Sequence, residues 1–354
     1  RSTSSVQSSL VMYPIWKYGN EEQRMKYLPK LATGEMIGCF GLTEPDYGSN
    51  PGGMVTNFKD MGDHYLLNGA KMWISNAPFA DIAVVWAKNE EGRIHGLIVE
   101  RGMEGFSTPE THNKWSLRAS ATGELIFDNV KVPKENLLPN KSGLGAPLGC
   151  LDSARYGIAW GAIGAAMDCF DTALRYSKER IQFDKPIAGF QLQQKKLAEM
   201  ITEITKAQLL TWRLGVLRNE GKATTAQISM AKRNNVKMAI DIARESRQIL
   251  GGMGIVGDFP MMRHAANLES VITYEGTHDV HLLTPDSSSF YEGVIVTTAH
   301  LAKGLEFDRV IIPFASAKNY KTDVDKSMLY IACTRAMHEL TLTFTKEVSH
   351  FVKP

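Results

Sequence analysis

Apolar residues fall at three different spacings along this 354-residue chain, and each spacing predicts a different kind of element. Asn20 is a capping residue before Glu21-Glu22-Gln23-Arg24-Met25-Lys26-Tyr27-Leu28, acidic early and basic late as a helix dipole favours, so a short helix is expected there. From Gly38 to Pro133 the pattern shortens to β-branched or aromatic runs separated by turn pairs. The runs are Tyr65–Leu67, Lys71–Ile74, Ile82–Ala87, Ile94–Val99, Leu125–Phe127 and Val130–Val132, and Asn68-Gly69 and Glu91-Gly92 read as turns. Strands at that spacing predict a small antiparallel β domain over 38–140. After a loop from Lys141 to Gly149, three long segments carry apolar residues at helical spacing, about Ala154 to Arg180, Gln191 to Arg218 and Thr224 to Leu250, and predict an antiparallel helical bundle over 141–283. Gly157, Ala159, Gly161, Ala162, Gly164, Ala165 and Ala166 in the first segment allow a neighbouring helix to approach closely. A polar, proline-containing break from Thr284 to Ser289 marks a module boundary, after which strand-like runs return at Gly293–Val296, Arg309–Pro313 and Glu339–Phe344. The fold class is α+β, with a C-terminal α/β fragment over 284–354.

Composition narrows the function classes only slightly. With 44% hydrophobic and 22% charged residues and a net charge of +2, the chain is of globular type, and its charge gives no ground for nucleic-acid or membrane binding. Cys39, Cys150, Cys169 and Cys333 are scattered without a CxxC pair, which suggests neither a disulfide framework nor a zinc site and makes a reducing cytoplasm the default location. No apolar run reaches membrane-spanning length. A chain that opens at Arg1, already inside a helix approach, reads as a fragment.

Candidate chemistry centres on Glu275, which follows a helix among Ile272, Tyr274 and Gly276, with Thr277, His278 and Asp279 behind it. A carboxylate desolvated in such surroundings titrates nearer the range of a general base, whereas an isolated loop glutamate is simply solvated. The wider pattern favours the base. The strings Phe40-Gly41-Leu42-Thr43-Glu44-Pro45-Asp46-Tyr47-Gly48-Ser49, Met72-Trp73-Ile74-Ser75-Asn76, Arg180-Ile181-Gln182-Phe183, Gln248-Ile249-Leu250-Gly251-Gly252-Met253-Gly254 and Tyr274-Glu275-Gly276-Thr277 occur in order. Together they resemble the flavin-dependent acyl-CoA dehydrogenases over roughly 1–283. More narrowly, Arg1-Ser2, Ser5 to Met12, Ser116 to Gly123 and Ala154 to Gly161 resemble the glutaryl-CoA dehydrogenase branch.

The resemblance implies FAD, an acyl-CoA substrate, an electron-transfer flavoprotein as acceptor and a homo-oligomer, dimer or tetramer. It makes Glu275 the base that removes the α proton, and residues 1–37 the remnant of an N-terminal helical domain. It places Phe40, Leu42, Thr43, Trp73, Ile74 and Ser75 at the isoalloxazine. Trp73 alone would read as a core aromatic, and the adjoining Ile74-Ser75-Asn76 carries it to the flavin. Arg180 and Gln191, with the turn of Gln248, Gly251 and Gly252, are implied to reach the dinucleotide of a neighbouring subunit, and Gln182, Phe183, Thr277 and Asp279 are further implied contacts of the cofactor. Ser49, Arg155, Tyr274 and Gly276 are implied at the acyl-CoA. A glutaryl chain carries a second carboxylate that a guanidinium can fork onto, which the resemblance gives to Arg1 with Ser2, leading through oxidative decarboxylation to crotonyl-CoA. Gly252-Met253-Gly254-Ile255-Val256-Gly257 fits a GxGxxG string, but it follows a helix, whereas a dinucleotide fold needs a strand there, so it reads as a helix-ending turn.

Residues from about 290 to 345 carry a second resemblance. Val296 to Val310 and Leu329 to Leu340 look like the last core segment of UvrD/Rep-type superfamily 1 helicases, where Glu306 would contact a nucleotide ribose and Arg335 the γ-phosphate. No GxxxxGK[ST] string exists in this chain, so the segment alone lacks a phosphate cradle, and ATP or nucleic acid enters only if the tail is functional. Three readings stand: an FAD-dependent acyl-CoA dehydrogenase, an inactive chimera of two incomplete parts, and a fragment of an ATP-dependent DNA helicase.

Overall fold

The computed structural model describes residues 2–278, 307–312 and 336–342. The chain divides into two compact units, 1–281 and 282–354. In the first, three abutting helical stretches, α1 (Ser2–Ser5), a π-helical stretch Val6–Met12 and α2 (Tyr13–Tyr18), lead to α3 (Glu21–Thr33). The expected cap is in place: the Asn20 side chain accepts from the Gln23 N–H, and the Gln23 side chain returns a bond to the Asn20 N–H. Gln7 ties this layer to the sheet, donating to the Leu31 and Met36 carbonyls while accepting from the Gly38 N–H.

The sheet follows with β1 (Gly38–Gly41), β2 (Asn57–Asp60), β3 (His64–Ser75), β4 (Ile82–Lys88), β5 (Ile94–Glu100), β6 (Phe106–Ser107) and β7 (Thr122–Pro133). Its seven strands are of mixed direction, a correction to the expected antiparallel domain: β1 runs parallel to β4, and Asn57 of β2 pairs in parallel with Lys88 of β4. The long connection between β1 and β4 leaves room for the crossover that parallel pairing needs. The Glu91-Gly92 turn does join the β4–β5 hairpin. Asn68-Gly69, expected as a turn, lies inside β3 instead. Asn68 accepts from the Asn129 N–H on β7, and Gly69, at φ +135°, lets the chain pass Thr56, whose backbone would stand 2.7 Å from any Cβ.

The bundle comprises α4 (Gly145–Glu179), α5 (Gln191–Asn219), α6 (Thr225–Ile249) and α7 (Met261–Thr273), with the small hairpin β8 (Ile181–Gln182) and β9 (Lys185–Pro186) between α4 and α5. Helix α4 starts nine residues before the expected Ala154. Pro147, which hid that start, sits in the first turn, where its missing N–H removes no helical bond. Close packing along α4 is made by alanines, with Ala154, Ala159, Ala162, Ala166 and Ala173 fully buried while Gly164 is exposed. Asn235 of α6 bridges the helices, donating to the Ala159 carbonyl at 3.2 Å and to Thr211 Oγ1 at 2.7 Å. The 252–257 glycine string falls in the turn after α6, as expected of a helix end. Among the described residues no helix is long and apolar enough to cross a membrane.

In the second unit the described residues form β10 (Phe307–Ile312) and β11 (Ala336–Leu342), a parallel pair. The expected positions Arg1, Asp279, Glu306 and Arg335 lie outside the described residues.

Candidate active site

One group of the expected residues is set where the loop after β1 meets the end of β3. The Met72 N–H donates to the Thr43 carbonyl at 2.8 Å, which brings Leu42 and Thr43 against Trp73, Ile74 and Ser75. Beneath this contact, Lys71 Nζ lies 2.8 Å from Glu44 Oε1 and 3.2 Å from the Leu42 carbonyl. The Glu44 carboxylate also accepts from the Val55 and Thr56 N–H groups, so one buried ion pair closes the whole loop. These donors hold the Glu44 carboxyl below its ordinary range, while burial pushes Lys71 down to about 8, which leaves it cationic at neutral pH.

Between Lys71 and Ile74, three residue steps of β3 span two of β7. This bulge puts Trp73 at φ +61° and leaves it 57% exposed. A core aromatic is thereby excluded. Phe40, Leu42 and Ile74 point into the core, so only their backbones can face a ligand, while Thr43, Ser75 and Trp73 present side chains and Ser49 is exposed.

A second group of the expected residues lies in the segment after α7. Glu275 sits at φ +50° and Gly276 at φ +102°, two successive left-handed residues that turn the chain sharply. Two cations from facing helices hold this turn by its carbonyls. Arg155 Nε donates to the Glu275 carbonyl at 2.9 Å, and Lys232 Nζ donates to the Gly276 carbonyl at 2.8 Å and the Ile272 carbonyl at 3.2 Å. Arg155 is itself oriented by Asp152 at 2.9 Å and Ser229 at 3.3 Å. Burial weakens both cations, lowering Arg155 and bringing Lys232 to about 7, and the nearby Glu275 charge opposes both shifts. Farther along, Arg233 Nε donates to the His278 carbonyl at 3.2 Å. Tyr274 packs against the bundle core. Ser116 and Leu117 dock the sheet domain onto α7: the Leu117 N–H reaches Asn267 Oδ1 at 2.8 Å, and the Ser116 and Ser270 hydroxyls meet at 2.6 Å.

A separate cleft of about 590 Å³ lies between the β8–β9 hairpin, the start of α5 and the end of α6. It brings together Arg180, Gln182, Phe183, Gly251 and Gly252 of the expected dinucleotide contacts. Gln191 and Gln248 are exposed and do not line it. Gln193 does, and its Oε1 is buried without a hydrogen-bond partner, a residue the spacing gave no reason to single out. A cation, amide groups and the rings of Tyr176, Phe183 and Phe190 are the surfaces an adenine and a pyrophosphate require, and the orphaned amide oxygen leaves an acceptor for a ligand donor. The residues present therefore fit FAD.

Sequence reasoning missed the pairing of Lys71 with Glu44 and the role of Lys232. In the second case a signal existed: Lys232 falls on the same helical face as Ile228, Ala231, Val236 and Ala239, where a charge has no place unless something buried receives it.

The chain matches the N-terminal, middle and C-terminal domains of acyl-CoA dehydrogenase over 1–35, 39–130 and 141–285, and a UvrD-like helicase C-terminal domain over 293–343. It is 36% identical over 285 residues to the mitochondrial short-chain specific acyl-CoA dehydrogenase of Rattus norvegicus, covering 79% of this chain and 69% of that one. The crystal structure of glutaryl-CoA dehydrogenase from Mycobacterium smegmatis is 50% identical with a TM-score of 0.79, covering 83% of this chain and 76% of that one. A second structure of that enzyme, in complex with FADH2, matches at 49% identity with the same TM-score of 0.79 and the same coverage, 83% and 76%.

Proposed function

The chain belongs to the acyl-CoA dehydrogenase family, FAD-dependent oxidoreductases acting on CH–CH bonds, and we propose that it oxidises glutaryl-CoA with Glu275 as the base. The observation that carries the reading is the turn after α7, in which Glu275 is set at φ +50° and its carbonyl, with those of Ile272 and Gly276, is fixed by buried cations. A base whose backbone is held this way starts its side chain from a fixed point, which favours the positioning that proton abstraction from carbon demands.

The Glu275 carboxylate takes the α proton of the bound thioester. FAD supplies the acceptor for the β hydride. As the α carbon loses its proton, charge builds on the thioester oxygen, and the Glu275 N–H is the chain's own donor toward it. Thr43 and Ser75 would offer hydroxyls, and Trp73 its exposed ring, to the isoalloxazine. Arg180, Gln182, Phe183 and Gln193 bind the dinucleotide end in the cleft, in an assembly of two or four copies. Arg155 serves the substrate end indirectly, since its guanidinium is committed to Asp152, Ser229 and the Glu275 carbonyl.

The glutaryl specificity is supported by Arg1-Ser2, by Tyr274 beside the base and by the 50% identity to the mycobacterial enzyme. Arg1 meets the distal carboxylate, which leaves as carbon dioxide after oxidation to give crotonyl-CoA. An electron-transfer flavoprotein takes the electrons onward. Supplying glutaryl-CoA or butyryl-CoA with an artificial electron acceptor tests the assignment: carbon dioxide and crotonyl-CoA form from glutaryl-CoA at the higher kcat/KM. Equal or better turnover of butyryl-CoA would give the chain to the short-chain branch.

A further inference from the structure

We propose that Lys232 is a positioning residue for Glu275, its ammonium holding the base's turn by the carbonyls on either side. This rests on the reading of Glu275 as the base.

Lys232 is fully buried on α6, beside Ile228, Ala231, Val236 and Ala239 and the buried amide of Asn235. An ammonium there forfeits its hydration, and a methionine of similar shape would fill the same space without that loss. What the charge receives is specific. Ile272 belongs to the last turn of α7, whose carbonyls have no helical partner and carry the negative end of the dipole. Gly276 lies beyond the base. One cation thus closes a loop across residues 272–276, and Arg155, coming from α4, fixes the Glu275 carbonyl between them. The left-handed backbone of Glu275 is held at three carbonyls by two side chains, so the carboxylate inherits a fixed direction from groups that need not touch the substrate.

The charged groups facing Lys232 are Glu275, which favours the ammonium, and Arg155 of α4, which opposes it while paired to Asp152. Burial pushes Lys232 down to about 7, and the Glu275 charge opposes that shift.

The test compares Lys232→Met, Lys232→Gln and Glu275→Gln with the wild-type, FAD-loaded protein. The readouts are kcat and KM, flavin content, exchange of the acyl-CoA α proton into deuterated water under anaerobic conditions, and amide hydrogen exchange of residues 272–277. Lys232→Met is expected to lower kcat and α-proton exchange together by about 10- to 100-fold, the scale of a small misplacement of a catalytic group. KM stays within about threefold, flavin content is kept, and amide exchange in the turn speeds up; Lys232→Gln, which retains a donor, recovers part of the rate. Wild-type exchange in Lys232→Met alongside a dead Glu275→Gln overturns this inference and leaves the base in place. Full α-proton exchange in Glu275→Gln overturns both. A fall in kcat that only tracks lost flavin in both Lys232 variants reduces Lys232 to a structural role and overturns the inference.

Discussion

Lys71 Nζ and Glu44 Oε1 meet at 2.8 Å with both side chains out of water, so the loop bearing Thr43 is clasped to the strand bearing Trp73 by one ion pair. Removing one partner strands the other charge, at a cost of roughly 3–5 kcal/mol. Lys71→Met and Glu44→Gln should each lower Tm and release flavin. The double variant, with no charge left unpaired, should recover part of the loss. Calorimetry and flavin content on the three variants check this.

Glu44 also predicts a pH dependence. Its folded pKa is depressed from 4.5 by Lys71 and the Thr56 and Val55 N–H groups, so the unfolded chain binds more protons as the pH falls. The stability it contributes is complete above its unfolded pKa and lost as the pH falls through its folded value. Tm measured downward from neutral should drop below about pH 4.5. In Glu44→Gln that part of the slope should be missing.

Asn267 carries the contact between the sheet domain and α7. Asn267→Ala removes the acceptor for the Leu117 N–H, at φ +51°, and should cost about 1 kcal/mol of stability. Because α7 runs into the catalytic turn, flavin reduction by substrate should slow as well. Denaturant unfolding and anaerobic stopped-flow give the two numbers.

Trp73 is exposed on its bulge, so Trp73→Ala should shift stability by no more than about 0.5 kcal/mol. Flavin retention, or transfer from reduced flavin to the acceptor, should nonetheless fall. Unchanged flavin binding and electron transfer would remove Trp73 from the site.

The helicase-like segment predicts a negative. With no GxxxxGK[ST] string in the chain, ATP has no phosphate cradle, and phosphate release should match buffer alone, with or without single-stranded DNA.

Local signals carried much of this architecture. The Asn20 cap, the hairpin at Glu91-Gly92 and the placing of Glu275 just beyond a helix rest on neighbours within a few residues. Long-range relations did not announce themselves. Asn68-Gly69 has the composition of a turn, yet Asn68 is occupied by Asn129 across the sheet. The parallel pairing of β1 with β4 depends on where a 40-residue excursion returns. The clasp between Lys71 and Glu44 and the hold of Lys232 on the base turn join residues 27 and 44 positions apart. Each of these lysines does break an apolar or strand pattern, which marks it as a charge in search of a partner without saying which.

The central claim is that this chain still performs family chemistry through Glu275. The most direct measurement is the visible flavin band of the purified protein, recorded before and after anaerobic addition of glutaryl-CoA, with Glu275→Gln alongside. The account predicts a yellow protein that bleaches, and a variant that stays yellow with reduction slowed by about 10²- to 10⁴-fold. A wild-type protein that binds flavin without bleaching, or a variant that bleaches at the same rate, would contradict it.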